Sequence, residues 1–76
     1  MTSVIQKNGS IYTGTFSNDL LHGIGEIITK NGIKYNGVFI HGKKHGPFTV
    51  TDLYKKQFCT ILYEYDVYVH DYFYKL

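Results

Sequence analysis

The sequence predicts an all-β fold, built as an antiparallel meander of β-hairpins. Three observations predict it: eight Tyr and five Phe in 76 residues, eight glycines spread along the chain, and Asn-Gly pairs between strand-like segments. Aromatic and β-branched residues favour strands, whereas Gly and Asn-Gly favour tight turns. A chain of this length forms one domain, so residues 1–76 are treated as a single unit.

The first two hairpins are predicted around Asn8-Gly9 and Asn31-Gly32. Val4 to Gln6 and Ile11-Tyr12 flank the first pair, and residues 26–29 and 33–35 flank the second. Asn-Gly supplies the two positive φ angles of a type I′ turn. We therefore expect a two-residue turn at each Asn-Gly.

The chain also matches itself at a shift of 23 residues. The matched pairs are Lys7-Asn8-Gly9 with Lys30-Asn31-Gly32, Tyr12 with Tyr35, Gly14 with Gly37, Phe16 with Phe39, and His22-Gly23 with His45-Gly46. Such a period is typical of proteins made of stacked supersecondary repeats.

Each repeat places a glycine in the middle of a strand, between two aromatic residues. Tyr12, Gly14 and Phe16 share one face in the first copy because side chains alternate along a strand. Glycine inside a strand costs about 0.5–1 kcal/mol relative to alanine, so it needs a packing reason. We expect a flanking aromatic ring to lie over the bare backbone.

The motif Tyr-x-Gly-x-Phe, followed after five residues by His-Gly, resembles the MORN repeat family. The first copy continues as His22-Gly23-Ile24-Gly25, whereas the second has Pro47-Phe48 in place of the last glycine. The resemblance implies repeats at about 10–32 and 33–55, with a cap at about 56–76. It assigns repeat packing to Tyr12, Gly14, Phe16, His22, Gly23, Tyr35, Gly37, Phe39, His45 and Gly46.

The cap contains a degenerate third register of the repeat. In that register Phe58, Thr60 and Leu62 take the positions of Tyr, Gly and Phe, and Tyr68-Val69 takes the position of His-Gly. The alternation from residue 67 to 74 favours strands. A helix is the alternative, because Leu62, Tyr65, Val69, Tyr72, Phe73 and Leu76 would form one apolar stripe at helical spacing.

No catalytic, metal or cofactor site is predicted from the residue types. His41 and His45 have the spacing of a zinc-binding helix, but Gly42, Gly46 and Pro47 argue against a helix there. We expect His22 and His45 to hydrogen-bond backbone at the repeat junctions. The sequence thus predicts a protein that is not an enzyme.

Composition narrows the class of partner. Eight basic residues, all lysines, are spread along the chain, and the absence of arginine disfavours nucleic acid as a partner. The single cysteine, Cys59, and the lack of an apolar leader or span predict a cytoplasmic protein, at most peripheral on a membrane. Lys43 and Lys44 are the predicted contacts to anionic lipid.

The favoured function is a non-catalytic protein-interaction or scaffold module that binds a protein or a second copy of itself. Tyrosine is enriched at interface centres, so the predicted contact residues are Tyr63, Tyr65, Tyr68 and Tyr72. The alternative is a peripheral membrane module that binds anionic phospholipid through its lysine loops. The resemblance implies both classes of partner.

Overall fold

The computed structural model describes residues 2–72, and the side chains of residues 2–69. The prediction of an all-β fold is confirmed, with strands in place of the alternative helix up to residue 72. The strands are β1 (Thr2–Ile5), β2 (Ile11–Ser17), β3 (Leu20–Ile28), β4 (Ile33–Ile40), β5 (Lys43–Lys44), β6 (Gly46–Asp52), β7 (Gln57–Glu64) and β8 (Val67–Tyr72).

The described strands form one antiparallel sheet in which chain neighbours are also sheet neighbours. Its order is β1-β2-β3-β4-β6-β7-β8, and the short β5 also pairs with β4, ahead of β6. Loops therefore leave the sheet alternately at its two ends. The loops at 6–10, 29–32 and 53–56 lie at one end, and the turns at 18–19, 41–42 and 65–66 lie at the other.

The prediction of type I′ turns at the two Asn-Gly pairs is wrong. Gly9 has a φ of 88°, but Asn8 does not have a positive φ. The amide of Gly9 donates to the Gln6 carbonyl at 3.0 Å, and the backbone amide of Gln6 donates to the Ser10 carbonyl at 2.7 Å. This is a three-residue loop with a type I turn and a glycine bulge, and the loop at 30–32 repeats it.

Type I′ turns occur instead inside the five-residue spacers of the motif. Asn18 and Asp19 have φ angles of 51° and 65°, and the same conformation recurs at residues 41–42 and 65–66. Each joins two strands through a two-residue loop. The three turns fall at the same point of successive repeats, which shows that the hairpin geometry extends into the third.

Each His-Gly pair forms a bulge in its strand. Phe16 pairs with Leu21 and Gly14 with Gly25, so β3 holds two more residues than β2 over this stretch. Gly23 and Gly46 have φ angles of 99° and 91°, and nothing lies within 4 Å of an added Cβ at either. These two glycines are required for backbone conformation rather than for space.

The core lies on one face of the coiled sheet, named here the inner face. Its buried apolar residues are Leu21, Phe39, Phe48 and Tyr63, with Tyr12, Phe16, Ile27, Tyr35, Val50 and Ile61 packed against them. The ring of Phe48 meets those of Phe39 and Tyr63 edge to face at 5.1 and 5.6 Å. Aromatic rings from neighbouring strands thus form a continuous row.

The prediction that flanking aromatic rings cover the mid-strand glycines of the motif is wrong. A Cβ on Gly14 would lie 2.8 Å from backbone atoms of Ile24 and Gly25, and its three nearest contacts include no aromatic ring. A Cβ on Gly37 would lie 2.9 Å from three atoms of the Phe48 ring, and one on Gly25 would lie 3.1 Å from Phe39. The covering ring belongs to a neighbouring strand. Phe48 therefore covers Gly37 from the position that corresponds to Gly25 in the first repeat.

The predicted register of the third repeat is wrong by one residue. Tyr63, which is 9% exposed, packs on Phe48, whereas the side chain of Phe58 is 75% exposed. The loop at 53–56 has four residues where the loops at 7–9 and 30–32 have three. The repeat therefore advances by 24 residues here, and a one-residue slip exchanges the two faces of a strand.

Candidate functional site

The first repeat junction is held by hydrogen bonds from a turn to the preceding repeat. The His41 amide donates to Nδ1 of His22 at 3.1 Å, and the Gly42 amide donates to the Leu21 carbonyl at 2.7 Å. The rings of His22 and His41 lie 4.7 Å apart. The expected hydrogen bond from backbone to this histidine is present.

The second junction uses the same contacts with different residues. The Tyr65 amide donates to Nδ1 of His45 at 3.2 Å, and their rings lie 4.4 Å apart. The Asp66 amide donates to the Lys44 carbonyl at 2.7 Å, and the Lys44 amide donates back to Oδ1 of Asp66 at 3.1 Å. Asp66 thus adds one hydrogen bond that Gly42 cannot make.

Lys44 occupies the position that Leu21 holds one repeat earlier. Its Nζ lies 4.3 Å from the ring centroids of both Tyr35 and Tyr63. Two cation–π contacts therefore replace the apolar contacts of the leucine. Partial burial lowers the pKa of the Lys44 ammonium, and the nearby Asp66 carboxylate opposes that shift.

This position corrects the prediction that Lys44 contacts lipid. Its ammonium is directed between two rings of the inner face, while Lys43 is exposed on the other side of the strand. Lys43 therefore remains a candidate for lipid contact and Lys44 does not. The match of Lys44 with Leu21 at the shift of 23 residues was the sequence signal for a core position.

Four other lysines line one end of the sheet, which we name the lysine end. They lie in the loops at 6–10, 29–32 and 53–56, which follow one another along that end: Lys7, Lys30, Lys55 and Lys56. Tyr54 and Phe58 lie beside Lys55 and Lys56 and are 78% and 75% exposed. The sequence reading missed this grouping, although the hairpin pattern already placed these loops together.

The predicted contact tyrosines separate into three cases. Tyr63 is a core residue, so its prediction as a contact is wrong. Tyr65 and Tyr68 are 52% and 56% exposed. The side chain of Tyr72 lies outside the described residues.

Tyr65 and Tyr68 belong to a larger exposed apolar surface on the last hairpin. Val67 and Val69, the strand neighbours of Tyr68, are 64% and 43% exposed. Val67 and Tyr68 lie on opposite faces of the strand, so apolar side chains are exposed on both sides of this hairpin end, and we name these four residues the last-hairpin surface. The residues at the corresponding positions one repeat earlier are His41, Lys43, Lys44 and His45. Polar and charged side chains in the inner repeat are thus replaced by apolar ones.

An open cleft of about 670 Å³ lies at the other end of the array, on the inner face. One wall consists of every second residue at the start of the chain, Thr2, Val4 and Gln6. The rest of the lining is formed by Tyr12, Phe16, Asp19, Leu20, Leu21 and Gly42. Its surface is mostly apolar, and Asp19 is its sole titratable carboxylate. The cleft can bind apolar groups, and its lining contains no Cys, Ser, His or Lys side chain.

Within residues 2–69, no group of three or more His, Cys, Asp and Glu side chains is placed to hold a metal ion. The described part of the chain contains no helix with the length and apolar character needed to cross a membrane.

The fold and its junctions define a repeat protein made of stacked β-hairpins. Residues 12–34 and 35–47 match the family model of the MORN repeat. The matched boundaries start at the tyrosine of each motif. A search of the curated proteins finds no match to the chain. MORN repeats are generally associated with modules that interact with proteins or membranes.

Proposed function

We propose that this protein is a non-catalytic, cytoplasmic protein-interaction module that docks its partner on the last-hairpin surface. The observation that carries the proposal is the replacement of polar residues by Tyr65, Val67, Tyr68 and Val69 at equivalent repeat positions. Exposed apolar patches bordered by polar residues commonly mark protein interaction sites. Apolar residues at these positions therefore support a contact with another protein.

The surroundings of this surface suggest the chemistry of the partner. Glu64 and Asp66 are exposed beside Tyr65, so the apolar residues have an acidic border. Interfaces commonly place aromatic residues at the centre and polar residues at the rim. We therefore expect a partner with an apolar patch bordered by basic residues.

The chemistry of the lining residues supports binding rather than catalysis. The cleft lining contains no Cys, Ser, His or Lys, and the ring nitrogens Nδ1 of His22 and His45 accept backbone hydrogen bonds at the junctions. A general base must have a nitrogen or oxygen within reach of its substrate. These two histidines serve the repeat stack instead.

The test compares two tyrosine variants. A partner is captured from a cell extract on the immobilised chain, purified, and titrated by calorimetry against wild type and against Tyr65→Ser/Tyr68→Ser. We expect the double variant to weaken binding at least tenfold, because interface tyrosines commonly contribute more than about 1 kcal/mol each.

The matched control is Tyr54→Ser, which removes a more exposed ring from the lysine end. It should retain the wild-type dissociation constant. Equal affinity of wild type and Tyr65→Ser/Tyr68→Ser, with folding confirmed by circular dichroism, would contradict the proposed docking surface.

A second candidate function is a peripheral membrane module, and a specific observation favours it. Lys7, Lys30, Lys55 and Lys56 lie at one end of the sheet, next to the exposed rings of Tyr54 and Phe58. Each lysine near an anionic bilayer contributes about 1 kcal/mol, and aromatic rings favour the interface. The lysine end therefore takes the place of Lys44 as the predicted contact to anionic lipid.

Vesicle co-sedimentation tests the second candidate. Binding to vesicles with 30% phosphatidylserine, chosen as about the content of an anionic leaflet, should fall steeply with salt and be absent for neutral phosphatidylcholine. Lys30→Glu/Lys55→Glu should abolish binding, whereas loss of binding in Lys43→Glu alone would place the lipid contact at the opposite end of the sheet. Equal binding to neutral vesicles would exclude the lysine end as the site.

A further inference from the structure

The first strand leaves one side of its backbone unpaired within the sheet. Thr2 pairs with Gly14 and Val4 with Tyr12, and β1 is the outermost strand on this side. The Gln6 amide donates to the Ser10 carbonyl, which makes Gln6 and Ser10 a hydrogen-bonded pair. Bonded and non-bonded pairs alternate along antiparallel strands, so the amides and carbonyls of Ser3 and Ile5 are directed away from β2.

This edge has little of the protection found on edge strands. All four residues of β1 are exposed, and Thr2-Ser3-Val4-Ile5 contains no charge and no proline. The nearest charge along the chain is Lys7, in the loop. Natural proteins usually protect an open edge with lysine, proline or a bulge, and an unprotected edge pairs readily with another strand.

The same strand forms the outer wall of the apolar cleft. Thr2, Val4 and Gln6 line it from β1, opposite Tyr12 and Phe16 of the neighbouring strand. At the equivalent point of the second repeat, the wall is Gly25 and Ile27, and β2 pairs with its outer side. In the described sheet, no strand lies beside β1 in the place that β2 occupies beside β3.

We propose that β1 pairs antiparallel with β1 of a second copy, about a two-fold axis that passes through Val4. This register pairs Ser3 with Ile5 of the second copy and lets each pair exchange both backbone hydrogen bonds. Val4 then faces Val4 of the second copy on the inner face. The two clefts become one groove, with Val4 of both copies at its centre.

The exposed edge of β1 is complementary to itself, which identifies a second copy of the chain as its partner. The outward groups recur at Ser3 and Ile5, so a two-fold axis matches the edge with itself, and residues 2–6, which pair across the axis, carry no charged side chain. A head-to-tail stack would place Val69 at the position where His22 and His45 supply the acceptor for the next turn, and valine cannot accept. The interface is short, so we expect micromolar to millimolar affinity.

This proposal deepens the interaction function above by naming a second copy as one partner, and it uses a different surface. Sedimentation equilibrium of the full chain from micromolar to millimolar concentration should show a monomer–dimer equilibrium. Ser3→Pro removes the outward amide and should weaken dimerisation about tenfold or more. Ser3→Ala removes the hydroxyl that bonds Thr13 and should dimerise as wild type does.

If Ser3→Pro does not fold, a charge variant tests dimerisation through β1 instead. Val4→Lys places two ammonium groups opposite each other on the axis and should abolish the dimer, whereas Val38→Lys, on a central strand, should not. Concentration-dependent protection of the Ser3 and Ile5 amides in hydrogen exchange identifies the edge directly.

Two outcomes would overturn the proposal. One is a monomer throughout the concentration range. The other is a dimer that Val4→Lys leaves intact and Tyr65→Ser/Tyr68→Ser disrupts, because that result would place self-association on the last-hairpin surface. Loss of partner binding in the tyrosine variant with dimerisation unchanged would leave both proposals standing on separate surfaces.

Discussion

The ammonium nitrogen of Lys44 lies 4.3 Å from the centre of the Tyr63 ring, on the face of the sheet that forms the core. A second ring, that of Tyr35, lies at the same distance on its other side. The preceding repeat has Leu21 at this position, 2% exposed. One repeat thus accommodates a charged side chain where the other buries an aliphatic one. Comparing Lys44 with Leu21 therefore shows how a charge at this core position affects stability.

Replacing Lys44 with leucine should stabilise the protein. The lowered pKa of Lys44 shows that partial burial disfavours its charge more than Asp66 favours it. Leucine fits the equivalent position in the first repeat, and substitutions of this kind commonly add about 0.5–2 kcal/mol. Urea denaturation of Lys44→Leu measures the gain, and Lys43→Leu, at the exposed neighbouring position, should change stability by no more than about 0.5 kcal/mol.

The stability difference between wild type and Lys44→Leu should depend on pH. Because the folded-state pKa of Lys44 lies below the unfolded value of 10.5, wild type gains stability as pH rises through the interval between the two. The advantage of Lys44→Leu should therefore be largest near neutral pH and shrink towards pH 10.5. A constant difference across that interval would show that packing, not charge burial, distinguishes the two side chains.

Fold class and strand positions were predictable because alternation and the repeat of Tyr-x-Gly-x-Phe are local signals. The register of the third repeat was not, since it depends on one added residue in the loop at 53–56. Cys59, Ile61 and Tyr63 therefore face inward, in place of their neighbours Phe58, Thr60 and Leu62. Loop length carries no strong sequence signal in a degenerate repeat.

The candidate site was predictable only in part. Tyr65 and Tyr68 were predicted as contacts from residue type, because tyrosine is enriched at interfaces, and their side chains are exposed. Lys44 was misplaced because lysine is ordinarily a surface residue, although its match with Leu21 was visible in the sequence. The open edge at Ser3 and Ile5 required the hydrogen-bond alternation of an observed pairing.

The turn types can be tested with a matched pair of glycine substitutions. Asp19→Gly should stabilise the protein by about 0.5–1 kcal/mol, because Asp19 has a φ of 65° that glycine adopts without strain. Asn31→Gly should destabilise it by a similar amount, since Asn31 does not have a positive φ and glycine adds unfolded-state entropy. Thermal unfolding of both variants decides between the assigned turns and the predicted ones, for which Asn31→Gly would be neutral or stabilising.

Gly37→Ala should destabilise the protein by about 2–3 kcal/mol, because the new methyl group would lie 2.9 Å from the Phe48 ring. In a double-mutant cycle, Phe48→Leu should relieve part of that cost, so the two changes together should cost less than their sum. Gly46→Ala provides the contrast. Its added methyl group meets nothing within 4 Å, so its cost comes from the φ of 91° and should be additive with Phe48→Leu.

The role of the junction histidines can be tested by removing or replacing the hydrogen-bond acceptor that His45 supplies to the Tyr65 amide. His45→Ala removes both the acceptor for the Tyr65 amide and the ring that stacks on Tyr65, and should cost about 1–2 kcal/mol. His45→Asn places an amide oxygen near the position of Nδ1 and should recover about half of that loss. Hydrogen exchange of the Tyr65 amide separates the two contributions, because its protection should fall in His45→Ala and persist in His45→Asn. Equal protection in both variants would mean that the Asp66 and Lys44 hydrogen bonds hold this turn without the histidine.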